Sequence, residues 1–106
     1  IAACWIHQNG ITGTGSWNFG CNTREDKVEI YGGKGKMTFS VFDELPIQLE
    51  NENGIREEFI ENPENIQLYH VQNMREHLLG KLNHPSTGKS ASHTAWVMDK
   101  ILGRIL

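Results

Sequence analysis

Hydrophobic and polar residues alternate through the first sixty positions of the chain, which predicts a series of short strands. Residues 1–8 form the first predicted strand, and Asn9-Gly10 after it favours a two-residue type I′ hairpin turn. Five further segments show the same period of two, although Gly13 and Gly15 loosen the first of them. The predicted segments are 11–19, 27–31, 36–42, 47–50 and 55–60. We therefore expect five or six antiparallel strands in a meander with one apolar face.

In the second half the hydrophobic spacing changes to that of an α-helix. Pro63 suits a first helical turn, with Asn62 as possible N-cap, and this helix should end near Gly80. Its apolar stripe comprises Ile66, His70, Val71, Met74, Leu78 and Leu82. Ser86 or Thr87, with Ser90 as a later candidate, could cap a second helix that runs to the end of the chain. Its stripe comprises Ala91, Thr94, Ala95, Met98, Ile101, Leu102 and Ile105.

Together these elements predict an α+β fold. An open, mostly antiparallel sheet of five to six strands has one apolar face, and two amphipathic helices packed on that face would cover it. The length of 106 residues fits a single domain spanning residues 1–106. The chain opens with Ile1 inside a predicted strand and shows no signal-peptide pattern, so we expect a fragment of a longer polypeptide.

The charge pattern argues against nucleic acid and anionic membranes as partners. The net charge is −3, and between Asp43 and Glu64 eight acidic residues face a lone Arg56. Binders of nucleic acid usually carry a basic surface, because phosphate neutralisation supplies much of their affinity. The acidic segment is best interpreted as the solvated surface of edge strands, with a recognition surface for a basic partner as the alternative.

The cysteines and the lengths of the apolar runs indicate the cellular compartment of the protein. Cys4 and Cys21 form no CxxC motif and no regular framework, which favours buried thiols in a reducing compartment such as the cytoplasm. Counting alone leaves a single disulfide between them open. The uninterrupted apolar runs are only a few residues long, too short to span a bilayer.

Two glycine-rich segments resemble phosphate-binding loops but lack their context. The segment 13–18, GTGSWN, has Asn18 at the third glycine position of a dinucleotide motif, and no predicted helix follows it. The segment 32–36, GGKGK, leads into a strand and lacks the P-loop spacing. A bent strand and a hairpin turn are the better interpretations.

The remaining chemistry-bearing residues form no convincing catalytic or metal-binding set. The histidines lack HxxxH or HExxH spacing, so we expect a partly buried His70 and solvated His77, His84 and His93. Ser92-His93 with Asp99 offers the residue types of a hydrolase, but Ser92 lies in the middle of a predicted helix. Neighbouring carboxylates such as those at 57 and 58 point to opposite faces of a strand.

The aromatic residues predict an association surface. Trp5, Tyr31 and Phe42 should lie on the sheet face away from the helices, which is more aromatic than a solvated face should be. Trp96 lies opposite the apolar stripe of its helix and should also face outward. These four residues are the predicted interface. Catalytic, cofactor-binding and metal-ligating residues are predicted to be absent from the chain.

Three stretches of the chain resemble the C-terminal domain of the Gfo/Idh/MocA oxidoreductases. Residues 27–39, KVEIYGGKGKMTF, are similar to a recurrent hairpin of that domain with the pattern D-x-(I/V)-x-I-x-G-x-x-G-x-(I/L)-x-F. Residues 62–67 and 85–91 are similar to its helix starts, and residues 94–102 to its last helix. The similarity covers nearly the whole chain, but its motifs are structural and carry no chemistry.

The resemblance implies that the chain is part of an NAD(P)-dependent dehydrogenase that acts on sugar- or polyol-type substrates. In that family an N-terminal Rossmann domain binds NAD or NADP, and the open sheet of the C-terminal domain contacts substrate and forms the homo-oligomer interface. The family's Glu-Lys-Pro lysine and Asp-x-x-x-His helix have no counterpart here, so no catalytic residue is carried over. The chain alone should be inactive, with its own Rossmann domain and further copies of itself as partners.

Two other classes of function remain open from the sequence. A stand-alone interaction or small-ligand-binding module could use the same sheet without any redox activity. A small metal-dependent enzyme would need a metal site that the histidine spacing does not indicate. An in-frame Rossmann sequence upstream of Ile1 would favour the oxidoreductase.

Overall fold

The computed structural model describes residues 1–105, which form six strands and two helices. This confirms the predicted α+β class with an open, antiparallel sheet arrangement. The strands are β1 (Ala2–Ile6), β2 (Thr12–Ser16), β3 (Val28–Gly32), β4 (Gly35–Phe39), β5 (Ile47–Asn51) and β6 (Gly54–Glu58). The helices are α1 (Leu68–Leu78) and α2 (Gly88–Ile101). The strands divide into two sheets, a two-stranded β1–β2 hairpin and a four-stranded sheet of order β3-β4-β5-β6.

The hairpin of β1 and β2 turns differently from the prediction. His7 accepts a hydrogen bond from the Gly10 N–H at 2.9 Å and donates one to the Ile11 carbonyl at 2.8 Å. Gly10 has φ of +84°, whereas Asn9 has a negative φ. A type I′ turn needs positive φ at both central residues, so the predicted type is wrong. The geometry is that of a three-residue loop in which Gly10 adopts the left-handed conformation.

The four-stranded sheet is a meander of short hairpins in a continuous register. Val28 faces Phe39 and Ile30 faces Met37 across the β3–β4 pair, while Met37 in turn faces Leu49 of β5. Gly35 at the β3–β4 turn has φ of +154°, and a Cβ there would overlap the carbonyl oxygen of the neighbouring strand. Only glycine allows β4 and β5 to approach this closely.

Helix α1 begins later than the sequence predicts. The first helical residue is Leu68, after a turn in which the Leu68 N–H donates to the Asn65 carbonyl at 2.9 Å. The predicted cap, Asn62, donates instead from its side-chain amide to a carboxylate oxygen of Glu44 at 2.6 Å. The predicted start at Pro63 is therefore wrong, because the chain makes only bends and turns over residues 64–67 before α1 begins.

The end of α1 and the cap of α2 agree with the prediction. The end of α2 does not, because this helix ends at Ile101 instead of running to the end of the chain, which leaves Ile105 of the predicted stripe outside it. Gly80 and Gly103 follow the two helices with positive φ, each within the paired hydrogen bonds of a Schellman motif. Thr87 is the N-cap of α2, and its N–H donates to the Ser90 hydroxyl at 2.9 Å. This settles the choice among the predicted capping residues and gives the later candidate, Ser90, a part in the same cap.

By its contacts the chain divides into two compact units, one formed by 1–22 with 73–105 and the other by 23–72. Within residues 1–105 no hydrophobic side chain is buried, and His84, with 7% of its surface exposed, is the buried polar residue. Neither helix has a buried residue, so helix packing over one sheet face stays a prediction. Neither α1 nor α2 combines the length and the hydropathy that a bilayer crossing requires.

Candidate functional site

One face of the four-stranded sheet is an apolar surface that extends over three strands. The period of two and the register place its members side by side. They are Val28, Ile30, Met37, Phe39, Ile47 and Leu49. On the edge strand β6 the same face carries Arg56 and Glu58, whose side chains form an ion pair at 3.0 Å. Half of the Ile30 surface is exposed and the other five members are half-buried, so no residue of this face is buried as it would be in a core.

The opposite face of the same sheet is polar and internally paired. The Lys36 ammonium lies 3.2 Å from a carboxylate oxygen of Glu50 and 3.6 Å from one of Glu29. It also lies 5.9 Å from the centre of the Tyr31 ring, within cation–π range. The hydrogen bond from Lys36 to the Glu50 carboxylate raises the pKa of the ammonium, and the charge of Glu50 adds to the effect. The Lys36 charge is thus already paired on this face, whereas the other face is apolar over three strands.

Asp26, just before β3, organises the loop that follows β4. Its Oδ2 accepts hydrogen bonds from the Ser40 hydroxyl at 2.5 Å, the Val41 N–H at 2.9 Å and the Phe42 N–H at 2.5 Å. The Ser40 oxygen in turn accepts from the Asp43 N–H at 2.9 Å. The Ser40 hydrogen bond, followed by that of the Phe42 amide, lowers the pKa of Asp26 from its ordinary 3.8. One carboxylate thus holds residues 40–43 in place.

A cleft of about 390 Å³ lies beside this loop, within the unit of residues 23–72. Arg24, Lys27 and Asp43 supply charges of both signs at its walls, and Leu45 and Pro46 supply apolar surface. The Arg24 Nη2 donates to the Asp43 Oδ1 at 2.7 Å. The cleft therefore combines a built polar loop, opposite charges and an apolar wall, the ingredients of a small-ligand site.

The predicted interface residues lie in different elements of the fold. Trp5 belongs to the β1–β2 hairpin and Tyr31 to the polar face of the other sheet, while Phe42 lies in the loop after β4. The expectation that these three share one sheet face is wrong, because the strands divide into two sheets. All three are exposed, as is Trp96 on α2, so their role in an interface stays a prediction.

The Trp96 ring is packed against side chains of its own helix. It stacks on the His93 imidazole with the ring centres 5.8 Å apart, and the Lys100 ammonium lies 5.7 Å from its centre. Half of the ring surface nevertheless remains exposed. Trp96 faces outward as predicted, already held in position by residues one turn away on each side.

The glycines of the segment 13–18 make room for indole rings and leave no cradle for a phosphate. A Cβ on Gly13 would lie 2.5 Å from the Cζ2 and Nε1 atoms of Trp5, and one on Gly15 would lie 2.6 Å from the Cη2 of Trp17. The Trp5 Nε1 donates to the His7 Nε2 at 3.1 Å, which fixes the first ring. The segment 32–36 is the β3–β4 hairpin turn, as predicted. Neither segment fits a dinucleotide.

The histidines are placed differently from the prediction in two cases. His84, expected in solvent, is buried, because its N–H donates to the His77 Nδ1 at 3.1 Å and its own Nδ1 accepts from the Ser86 N–H at 3.0 Å. These bonds fold the connection between the helices around the ring. His70, expected to be partly buried, is exposed. Across residues 1–105 no three histidine, cysteine or acidic side chains are placed to hold a metal ion.

Both cysteines are exposed free thiols. The expectation that they are buried is wrong, and the open question of a disulfide is answered, since neither is paired. Cys4 lies opposite Thr14 on the hairpin face that the tryptophans leave uncovered. The cytoplasmic location inferred from the cysteines stays a prediction.

Sequence reasoning missed the Asp26 loop and the stacking of Trp17, although signals for both exist. Extending the β3–β4 register two residues beyond the Val28–Phe39 pair places Asp26 opposite Val41, where a carboxylate can cap the returning loop. For Trp17, alternating glycines beside an aromatic residue on a hairpin indicate a ring laid over the strand.

Comparison with known proteins relates the chain to an oxidoreductase. Over 99 residues it is 26% identical to Oxidoreductase P35 of Formosa agariphila, a match that covers 92% of this chain and 30% of that protein. The chain thus spans less than a third of the relative's length. No family model matches the sequence, and no solved structure matches it either. The findings support a distant relationship to part of an oxidoreductase.

Proposed function

We propose that this chain is the substrate-side and association part of an NAD(P)-dependent oxidoreductase of the Gfo/Idh/MocA type. The observation that carries the proposal is the match to Oxidoreductase P35, which extends over nearly the whole chain. The substrate class, a sugar or polyol, follows from the resemblance of the hairpin and the helix starts to that family.

The exposed surface of the chain supports a role in association. Ile30 lies on the apolar face of the four-stranded sheet, and half of its surface is exposed. The other five members of that face are only half-buried. Contiguous apolar surface that stays accessible marks a site of contact with another macromolecule. Another polypeptide surface should cover the apolar face around Ile30 and Met37.

The cofactor in this proposal binds outside the 106 residues. Neither glycine-rich segment fits a dinucleotide, since indole rings fill one and the other is a hairpin turn. NAD or NADP, when bound by a Rossmann domain, would supply the hydride chemistry. The sheet described here would support the substrate side of that site and contact further copies of the chain through its apolar face. Trp5, Phe42 and Trp96, which are exposed in other elements, would add to this contact.

Cofactor binding and turnover test the proposal. The 106-residue chain should neither bind NADH or NADPH in a fluorescence titration nor transfer a hydride, whether from NADH or NADPH to a sugar carbonyl or from a polyol to NAD⁺ or NADP⁺. The complete reading frame that encodes it should contain an in-frame Rossmann sequence upstream, and its product should do both. Turnover by the 106-residue chain alone, or a reading frame without such a sequence, would contradict the proposal and favour a stand-alone binding module.

A further inference from the structure

We propose that the cleft beside the Asp26 loop binds a free α-amino acid with an apolar side chain. The inference concerns residues 24–48 only and does not depend on the proposed oxidoreductase function. It is drawn from three features of the cleft, which are its fixed loop, its charges of both signs and its apolar wall.

The loop that forms one wall is held before any ligand arrives. Asp26 accepts hydrogen bonds from the hydroxyl of Ser40 and from the two amides that follow it. Because the Asp43 N–H also donates to the Ser40 oxygen, the position of the Asp43 backbone is fixed relative to Asp26. A preorganised site binds without the cost of ordering its own loop.

The charges at the cleft match a zwitterion better than a simple ion. Arg24 donates to Asp43 at 2.7 Å, and with 69% and 40% of their side chains exposed, both ends of this pair are accessible from solvent. A guanidinium has five N–H donors, so Arg24 retains donors for a ligand carboxylate, and the second oxygen of Asp43 can accept from a ligand ammonium. A simple anion or cation would leave one of these two groups without a new partner.

The third feature is the apolar wall beside these charges. Phe39, Leu45 and Pro46 line the cleft, and 60% of the Leu45 surface is exposed. A branched aliphatic side chain placed against this wall removes apolar surface from water on both partners. The volume of about 390 Å³ lies within the range of small-molecule sites.

Titration of the full chain with L-leucine tests the proposal, with two analogues that each lack one charge. We expect saturable binding of L-leucine by calorimetry or NMR. Binding of 4-methylpentanoate, which lacks the ammonium, and of 3-methylbutylamine, which lacks the carboxylate, should be at least tenfold weaker, because each loses a charge-assisted hydrogen bond. No cofactor or redox substrate is present, so the outcome is independent of the oxidoreductase proposal.

Single substitutions locate the site. R24Q and D43N should each weaken L-leucine binding at least tenfold, whereas K34Q, which removes one charge from the β3–β4 turn outside this cleft, should leave it unchanged. A backbone amide NMR spectrum of each variant checks that residues 40–43 keep their positions. The proposal is overturned if L-leucine shows no saturable binding, if either analogue binds as tightly, or if K34Q weakens binding as much as R24Q does.

Discussion

The stacking of Trp5 on Gly13 can be tested by adding a single methyl group. The two residues face each other across β1 and β2, and the indole occupies the space that a Cβ on Gly13 would need. In Gly13→Ala the ring must move, and its hydrogen bond to His7 should be lost with it. Trp5 lies at the surface with 39% of its area exposed, so the ring can move aside, and the lost hydrogen bond sets the cost at about 1 kcal/mol of unfolding free energy.

The change in unfolding free energy caused by Gly13→Ala should reverse its sign when the indole is absent. In a Trp5→Ala background the new methyl group meets no ring, and replacing glycine in a strand then stabilises the fold by about 0.4–1 kcal/mol through the unfolded state. Gly20→Ala is the matched control, since its Cβ would contact only the Asn18 side chain, at an ordinary 3.6 Å. This change should alter stability by less than about 0.5 kcal/mol.

Urea unfolding of the unsubstituted protein, the three variants and the control supplies the free energies, provided that the slope with denaturant stays constant. The indole N–H signal of Trp5 in an NMR spectrum reports its hydrogen bond to His7 independently. If Gly13→Ala lowers the unfolding free energy by the same amount with and without the indole, the ring does not lie over the strand. The interpretation of the glycines as space for aromatic rings would then be refuted.

Three further predictions concern the four-stranded sheet and its loop. Gly35→Ala, which combines a positive φ with a clash against β5, should destabilise the protein by about 2–3 kcal/mol in urea unfolding, with Gly33→Ala nearly neutral. The folded-state pKa of Asp26 is below 3.8, so the ionised carboxylate stabilises the fold fully above that pH and loses this contribution as the pH falls through the folded-state pKa. The difference in unfolding free energy between Asp26→Asn and the unsubstituted protein should therefore become smaller in acid. Met37→Asp should abolish any concentration-dependent association seen in sedimentation, whereas Thr38→Asp, on the opposite face of β4, should preserve it. If the two variants associate equally, the assignment of association to the apolar face is refuted.

The pattern of the sequence predicts the elements well where they are set by neighbours in the chain. The alternation in β3 and β4 locates the hairpin, and Gly80 locates the end of α1, because these signals act over a few residues. The start of α1 is mispredicted although Asn62 and Pro63 are residue types of a helix start, and the Asn62 amide instead donates to Glu44, eighteen residues away. A capping preference cannot anticipate a competing partner that only the fold brings near.

The same distinction explains which part of the candidate sites was foreseeable. Exposure of the aromatic residues follows from strand alternation, but their grouping on one face depended on a single continuous sheet, and the chain forms two.

Within the four-stranded sheet the two faces differ in the free-energy cost of covering them with a partner. Lys36 on the polar face already has its counterions, Glu29 and Glu50, so a partner that covered it would have to desolvate paired charges. The face of Ile30 and Met37 has this cost only at its edge, where β6 carries the Arg56–Glu58 ion pair, and covering it over β3, β4 and β5 removes apolar surface from water. The physical chemistry therefore assigns association to the apolar face and leaves the aromatic residue of the polar face, Tyr31, to solvent.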